Sequence, residues 1–213
     1  MGVRVLTCFM LLSLLGWAVI LDRIAIVIEN RIVKESDIKR EIRVTSFLNN
    51  EPPDLSLPSE KRAANRLIDQ VFIRREIEIG DYPQATLQEA DQQLDKLKNE
   101  RFKTGAGFEE ALHRYHLTPL DLRTQFQWQL TVLRFIDVRF KPAVLITDDE
   151  IEKYYRDHAA ALRREYPSKS TSNDLRAQIR EILTSEKVNQ QFFAWLDEQR
   201  KGTKVQFLEA SLK

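Results

Sequence analysis

Ile146-Thr-Asp-Asp-Glu-Ile-Glu-Lys-Tyr-Tyr-Arg-Asp-His158 decides how this chain is read. Thr147 can accept a hydrogen bond from the backbone at a helix start, and Glu150, three residues on, can reach back, which makes a capping box. Asp148, Asp149 and Glu150 crowd the first turn, where carboxylates favour the positive end of the helix dipole, so capping accounts for them without calcium. Only a short Pro/Ser/Thr/Asn stretch, Tyr166 to Asn173, follows before the next helical pattern begins. That pattern, from about Asp174 to Lys201, carries Leu175, Ile179, Ile182, Leu183, Phe192, Trp195 and Leu196 on a helical period.

Gly202 ends this helix, and Lys204-Val-Gln-Phe-Leu208 alternates as a strand does. Near the other end, Arg23-Ile-Ala-Ile-Val-Ile28 is a β-branched run, and Glu29-Asn30-Arg31 offers a turn before Ile32-Val33. The pattern predicts a β-hairpin with Asn30 taking the positive φ. Ser36 is expected to cap a helix that carries Ile38, Ile42, Val44 and Phe47 and ends near Asn49-Asn50. The three prolines between Glu51 and Pro58 predict a loop. A long helix follows from about Ser59 to Ile79, with Gly80 as its stop. Thr86 and Glu89 make a second capping box for a helix with Leu94, Leu97 and Phe102. Gly105 and Gly107 are expected to break the chain before a short helix, Phe108 to Tyr115. Thr118-Pro-Leu-Asp121 opens a helix that runs to about Phe140, where Lys141-Pro142 stops it. The fold class is therefore mainly α, a multi-helix module with a small β-sheet in which the N-terminal strand (23–28) pairs with the C-terminal one (204–208).

Composition limits the function classes. A net charge of +1 with 31% charged residues offers no global field for nucleic acid or an anionic membrane. Six glycines and seven prolines in 213 residues disfavour an all-β fold with many tight turns. Arg4 precedes an uncharged apolar run from Val5 to Leu21, so residues 1–21 read as a targeting segment. Gly16-Trp17-Ala18 favours signal-peptide cleavage after Ala18; the length of the run also suits an uncleaved anchor in the inner membrane. Either way residues 22–213 are expected outside the cytoplasm, in the periplasm. Cys8, the one cysteine, lies in that segment and is a poor match to a lipidation site, so the exported body has neither disulfide nor thiol nucleophile.

The order of these elements resembles the N-terminal module of the SurA-type extracytoplasmic chaperones. Asp22-Arg-Ile-Ala-Ile-Val-Ile-Glu-Asn-Arg-Ile-Val-Lys-Glu-Ser-Asp37 is similar to that family's opening strand, turn and helix. Phe108-Glu-Glu-Ala-Leu-His-Arg-Tyr-His-Leu-Thr-Pro-Leu-Asp-Leu-Arg123 resembles its central short helix and the start of its long one. Phe193-Ala-Trp-Leu-Asp-Glu-Gln-Arg-Lys-Gly-Thr-Lys-Val-Gln-Phe207 resembles its last helix and strand. Each piece is a packing or capping pattern; their order carries the resemblance. In that family the segment resembling 146–158 leads into a parvulin prolyl-isomerase domain. Such a domain takes on the order of a hundred residues, and the linker 166–173 cannot hold it, so no prolyl-isomerase activity is expected. The resemblance implies a chaperone for unfolded exported or outer-membrane proteins and brings no catalytic residues.

Other chemistry has little support. His113 and His116, with Glu109 and Glu110 one turn upstream, offer a zinc-like face, but no longer spacing motif accompanies them, and a solvated helix face accounts for them. No Gly-x-Ser-x-Gly elbow and no glycine-rich phosphate loop is present. No metal, nucleotide or other cofactor is expected, and the chain reads as a non-enzyme. One feature exceeds structural need. At ~100° per residue, Leu122, Phe126, Leu130, Leu133 and Phe140 share one face of the helix 120–140, while Trp128, Val132 and Phe135 line a second. A helix apolar on two sides is either sandwiched, with the last helix as the candidate cover, or offers one side to a partner. The Trp128/Val132/Phe135 stripe is the candidate client-binding surface. The expected function is an ATP-independent holdase for unfolded polypeptides; the alternative is a structural or adaptor protein docking one envelope partner.

Overall fold

β-Branched residues bring the two ends of the chain together. In the computed structural model, which describes residues 22–102, 104–165, 172–209 and Leu212, strand β1 (Ile24–Ile28) pairs antiparallel with β2 (Arg31–Lys34) and with β3 (Val205–Phe207). The sheet order is β2-β1-β3, with Ile26 opposite both Val33 and Phe207. Ala25, Ile26 and Ile28 of the central strand are buried, so the clasp expected from the alternation is present and anchored in the core. The targeting segment 1–21 with Cys8, and residues 166–171 of the linker, lie outside the described residues. The hairpin turn differs from expectation. Glu29, not Asn30, has the positive φ (51°), and Arg75 grips the Glu29 carboxylate with Nη1 at 3.0 and 2.9 Å.

Helix α1 (Glu35–Asn49) starts one residue before Ser36. Lys34 is the capping position, its amide donating to Asp37 Oδ2 at 3.0 Å. Ser36 instead donates its hydroxyl to Asp22 Oδ2 at 2.5 Å, tying the helix to the start of β1. Asn50 closes the helix in the left-handed region, φ 58°. Helix α2 (Leu57–Ile79) begins two residues earlier than the pattern suggested, because Pro58 fits a first turn that needs no amide hydrogen. Gly80 ends it at φ −89° and Asp81 takes the positive φ. The glycine is needed for space: a Cβ there would overlap the ring of Tyr82.

Helix α3 (Leu87–Arg101) opens on the expected box, with Thr86 N donating to Glu89 Oε2 at 2.8 Å and Glu89 N to Thr86 Oγ1 at 3.2 Å. Gly105 and Gly107 do not break the chain. They form the first turn of α4 (Gly105–Tyr115), where Thr104 Oγ1 accepts from the Gly107 amide at 3.2 Å and supplies the partner a helix start lacks. Helix α5 (Pro119–Arg139) is capped by Thr118 and Asp121 and ends in a short 3₁₀ turn, Lys141–Ala143. Helices α6 (Asp148–Glu165) and α7 (Ser172–Gly202) follow.

The chain is thus mainly helical with a small three-stranded antiparallel sheet. Three apolar clusters hold it. The largest joins the sheet, the first half of α1, α2, α5 from Trp128 onward and the C-terminal half of α7. There Phe135 meets Tyr82 edge-on at 5.1 Å, Phe140 at 5.8 Å and Trp195 at 5.6 Å between ring centroids. Such pairs add about 0.5–1.5 kcal/mol each beyond the area they bury. A second cluster packs Phe47 of α1, Leu94 of α3, Phe108 and Leu112 of α4 and Leu122 of α5. The third, Ile151, Leu162 and Ile179, joins α6 to the N-terminal half of α7. A two-pronged ion pair, Arg200 Nε and Nη2 to the two oxygens of Asp69 at 2.7 Å each, fixes the end of α7 on α2 and so delivers β3 to the sheet.

Candidate functional site

The position of Trp128, Val132 and Phe135 follows from the two apolar sides of α5. Leu122 and Phe126, near its start, enter the second cluster. The Trp128, Val132 and Phe135 side enters the first, where Phe135 is 0% exposed, Trp128 is buried and Val132 is half-buried. Trp195 of α7 and Tyr82 cover Phe135, so the helix is sandwiched and the stripe is not an open surface. Phe135 cannot meet a client without unfolding the core, and as a contact residue it is set aside. The exposed apolar side chains of α5 are Leu120, Leu133 and Val138; Leu133, which the helical pattern grouped with Leu122, is 60% exposed.

Trp128 does border an opening. Three adjoining cavities of about 120, 240 and 280 Å³ run between β2, α1, α2 and α5, and Arg74 lines all three. Together they form one groove. Its apolar lining is Ile32 and Val33 of β2, Val44 of α1, Leu67 and Val71 of α2, and Leu120 and Trp128 of α5. Polar groups border it, and most are already paired. Arg31 Nη2 donates to Glu78 at 2.6 Å, Arg40 Nη2 to Asp37 at 2.7 Å and Arg66 Nε to Glu41 at 2.8 Å. Asp121 accepts from the Thr118 amide at 2.8 Å as a cap.

Arg74 is different. Its guanidinium carbon lies 3.9 Å from the centroid of the Trp128 ring, a cation–π contact. Burial lowers its pKa from the ordinary arginine value, Glu78 one turn on opposes that, and Arg31 adds to it. The group stays charged at any physiological pH. Sequence reasoning did not find this pairing. Arg74 and Trp128 belong to different helices, and neither periodicity nor capping links them.

The remaining candidates have structural explanations. Glu150 N donates to Thr147 Oγ1 at 3.3 Å and Thr147 N to Glu150 Oε2 at 2.9 Å, the expected box. Lys187 also pairs with Glu150 at 2.7 Å, and this contact, with the Thr147 amide next, lowers the Glu150 pKa to about 2. Asp148 is taken up by Arg176 and Arg180 of α7 at 3.0 and 3.4 Å. The acidic run therefore caps α6 and binds it to its neighbour. His113 and His116 sit at the end of α4 with rings 6.4 Å apart. Among the described residues no group of three or more His, Cys, Asp or Glu is gathered to hold a metal ion, and no helix is long and apolar enough to cross a membrane.

No protein-family model and no curated protein sequence matches this chain.

Proposed function

We propose that the chain is an ATP-independent extracytoplasmic chaperone that holds unfolded exported or outer-membrane polypeptides in the groove between α1, α2 and α5. One observation carries this reading: the groove combines an apolar lining with a rim whose carboxylates are already engaged. Apolar side chains of an unfolded client gain about 25 cal/mol per Å² withdrawn from water there. Such binding is weak per contact, tolerant of sequence and independent of nucleotide. The paired rim stays hydrated. Placement in the periplasm rests on the apolar run before Asp22, and the absence of prolyl-isomerase activity rests on the short linker after α6.

The test is aggregation of a urea-unfolded outer-membrane protein on dilution, repeated with an unrelated unfolded protein. A holdase suppresses both near stoichiometric amounts, and Leu67→Glu, which puts a charge into the apolar lining, weakens both effects. Suppression of neither by the folded protein contradicts the proposal and favours a single-partner adaptor. Turnover of a prolyl peptide would overturn the non-enzymatic reading.

A further inference from the structure

We propose that Arg74 makes this groove a reader of carboxyl termini, receiving the free α-carboxylate of an extended peptide whose last side chain is apolar or aromatic. The inference rests on the proposed polypeptide-binding role of the groove and names the end of the client that it prefers. Among the described residues that line the groove, Arg74 is the one cation with neither hydrogen bond nor ion pair, whereas Arg31 and Arg40 hold Glu78 and Asp37. The guanidinium carbon lies 3.9 Å over the Trp128 ring, a cation–π contact that engages none of the N–H groups in a hydrogen bond. Those N–H groups form the fork that fits a carboxylate with two parallel hydrogen bonds. The contact also holds the guanidinium in place before binding, so less side-chain freedom is lost when the ligand arrives.

The surroundings choose among anions. Asp37, Glu41, Glu78 and Asp121 border the same cavities. Each is engaged, but together they repel a ligand of several negative charges, which disfavours phosphate groups and nucleic acid. A single carboxylate on an apolar body is what this mixture tolerates. The cavity of about 240 Å³ beside Arg74, lined in part by Val44, Leu67, Leu120 and Trp128, is the place for that body. A C-terminal residue carries carboxylate and side chain on one Cα, which matches a fork adjoining an apolar cavity. An internal Asp or Glu has its carboxylate where the apolar side chain would have to be.

Calorimetric titration of the purified protein with three versions of one short peptide ending in Phe separates the sources. These are the free acid, the C-terminal amide, and the amide with one internal Glu. The free acid is expected to bind about tenfold tighter than either amide, the scale of a charge-assisted hydrogen bond. Arg74→Gln should bring the acid to the level of the amide, with the helical circular-dichroism spectrum retained. Equal affinity for acid and amide, an acid preference that survives Arg74→Gln, or an internal Glu that matches the free acid overturns the inference and leaves the groove as a general polypeptide site. Binding of none of the three peptides overturns both the inference and the groove itself.

Discussion

Phe135→Ala separates a core residue from a client contact. Phe135 is fully buried and touches Tyr82, Phe140 and Trp195. Removing a buried phenyl ring costs about 3–5 kcal/mol, because the transfer energy is lost and the void closes only in part. A domain of this kind has about 5–15 kcal/mol to lose, so the variant should fold with a reduced margin. With a urea slope of about 2 kcal/mol/M, the unfolding midpoint followed by circular dichroism should fall by about 2 M. Leu133→Ala, two residues away on the same helix but 60% exposed, should stay within about 0.5 kcal/mol of the parent. Below its unfolding range, Phe135→Ala should hold clients as the parent does. A destabilisation under about 1 kcal/mol together with lost client binding would refute the reasoning, since it would mean that Phe135 works at the surface.

Gly80→Ala should destabilise by about 1–3 kcal/mol, the scale of overpacking, because the new Cβ displaces the Tyr82 ring from Phe135 and Arg139; Gly80→Ala with Tyr82→Ala should cost little more than Tyr82→Ala alone in thermal unfolding. Stability should also fall in acid. The Glu89 carboxyl, held by the Thr86 amide and by Arg134, and the Glu150 carboxyl, held by Lys187 and the Thr147 amide, both have pKa values lowered from 4.5 to about 2. Folding thus favours their ionised forms, so their contribution is complete above about pH 4.5 and is lost as the pH falls through about 2. Glu89→Gln with Glu150→Gln should flatten the dependence of the unfolding midpoint on pH in that window, and an unchanged slope would count against it. Asp69→Ala should loosen the end of α7 and show faster hydrogen exchange in β3 than in α4, since the Arg200 clamp delivers that strand.

Local signals were legible in the sequence and long-range ones were not. The boxes at Thr86/Glu89 and Thr147/Glu150 each span only four residues, and both formed. The terminal sheet was legible because strand alternation leaves few alternatives for β1 and β3. Ser36 misled because a competing partner, Asp22, lies fourteen residues back and claims its hydroxyl. Gly80 was understood as a stop, but its reason lies in the Tyr82 ring rather than in backbone freedom. The two apolar faces of α5 favoured a sandwich without excluding a client surface, since periodicity says which residues share a face and not what covers it. The groove was invisible because it exists only where β2, α1, α2 and α5 converge, and its charged centre, Arg74 on Trp128, joins residues with no spacing rule between them.

The most direct test of the account places a crosslinker in the groove. With Cys8, the one cysteine in the sequence, replaced by serine, Thr124→Cys lines the groove and Glu109→Cys sits exposed on α4 as a control. Each is labelled with a photoactivatable group and mixed with an unfolded outer-membrane protein. The account expects client adducts at position 124, competed away by unlabelled unfolded protein, and few at position 109. Client that binds the protein yet crosslinks no more at position 124 than at position 109 would contradict it.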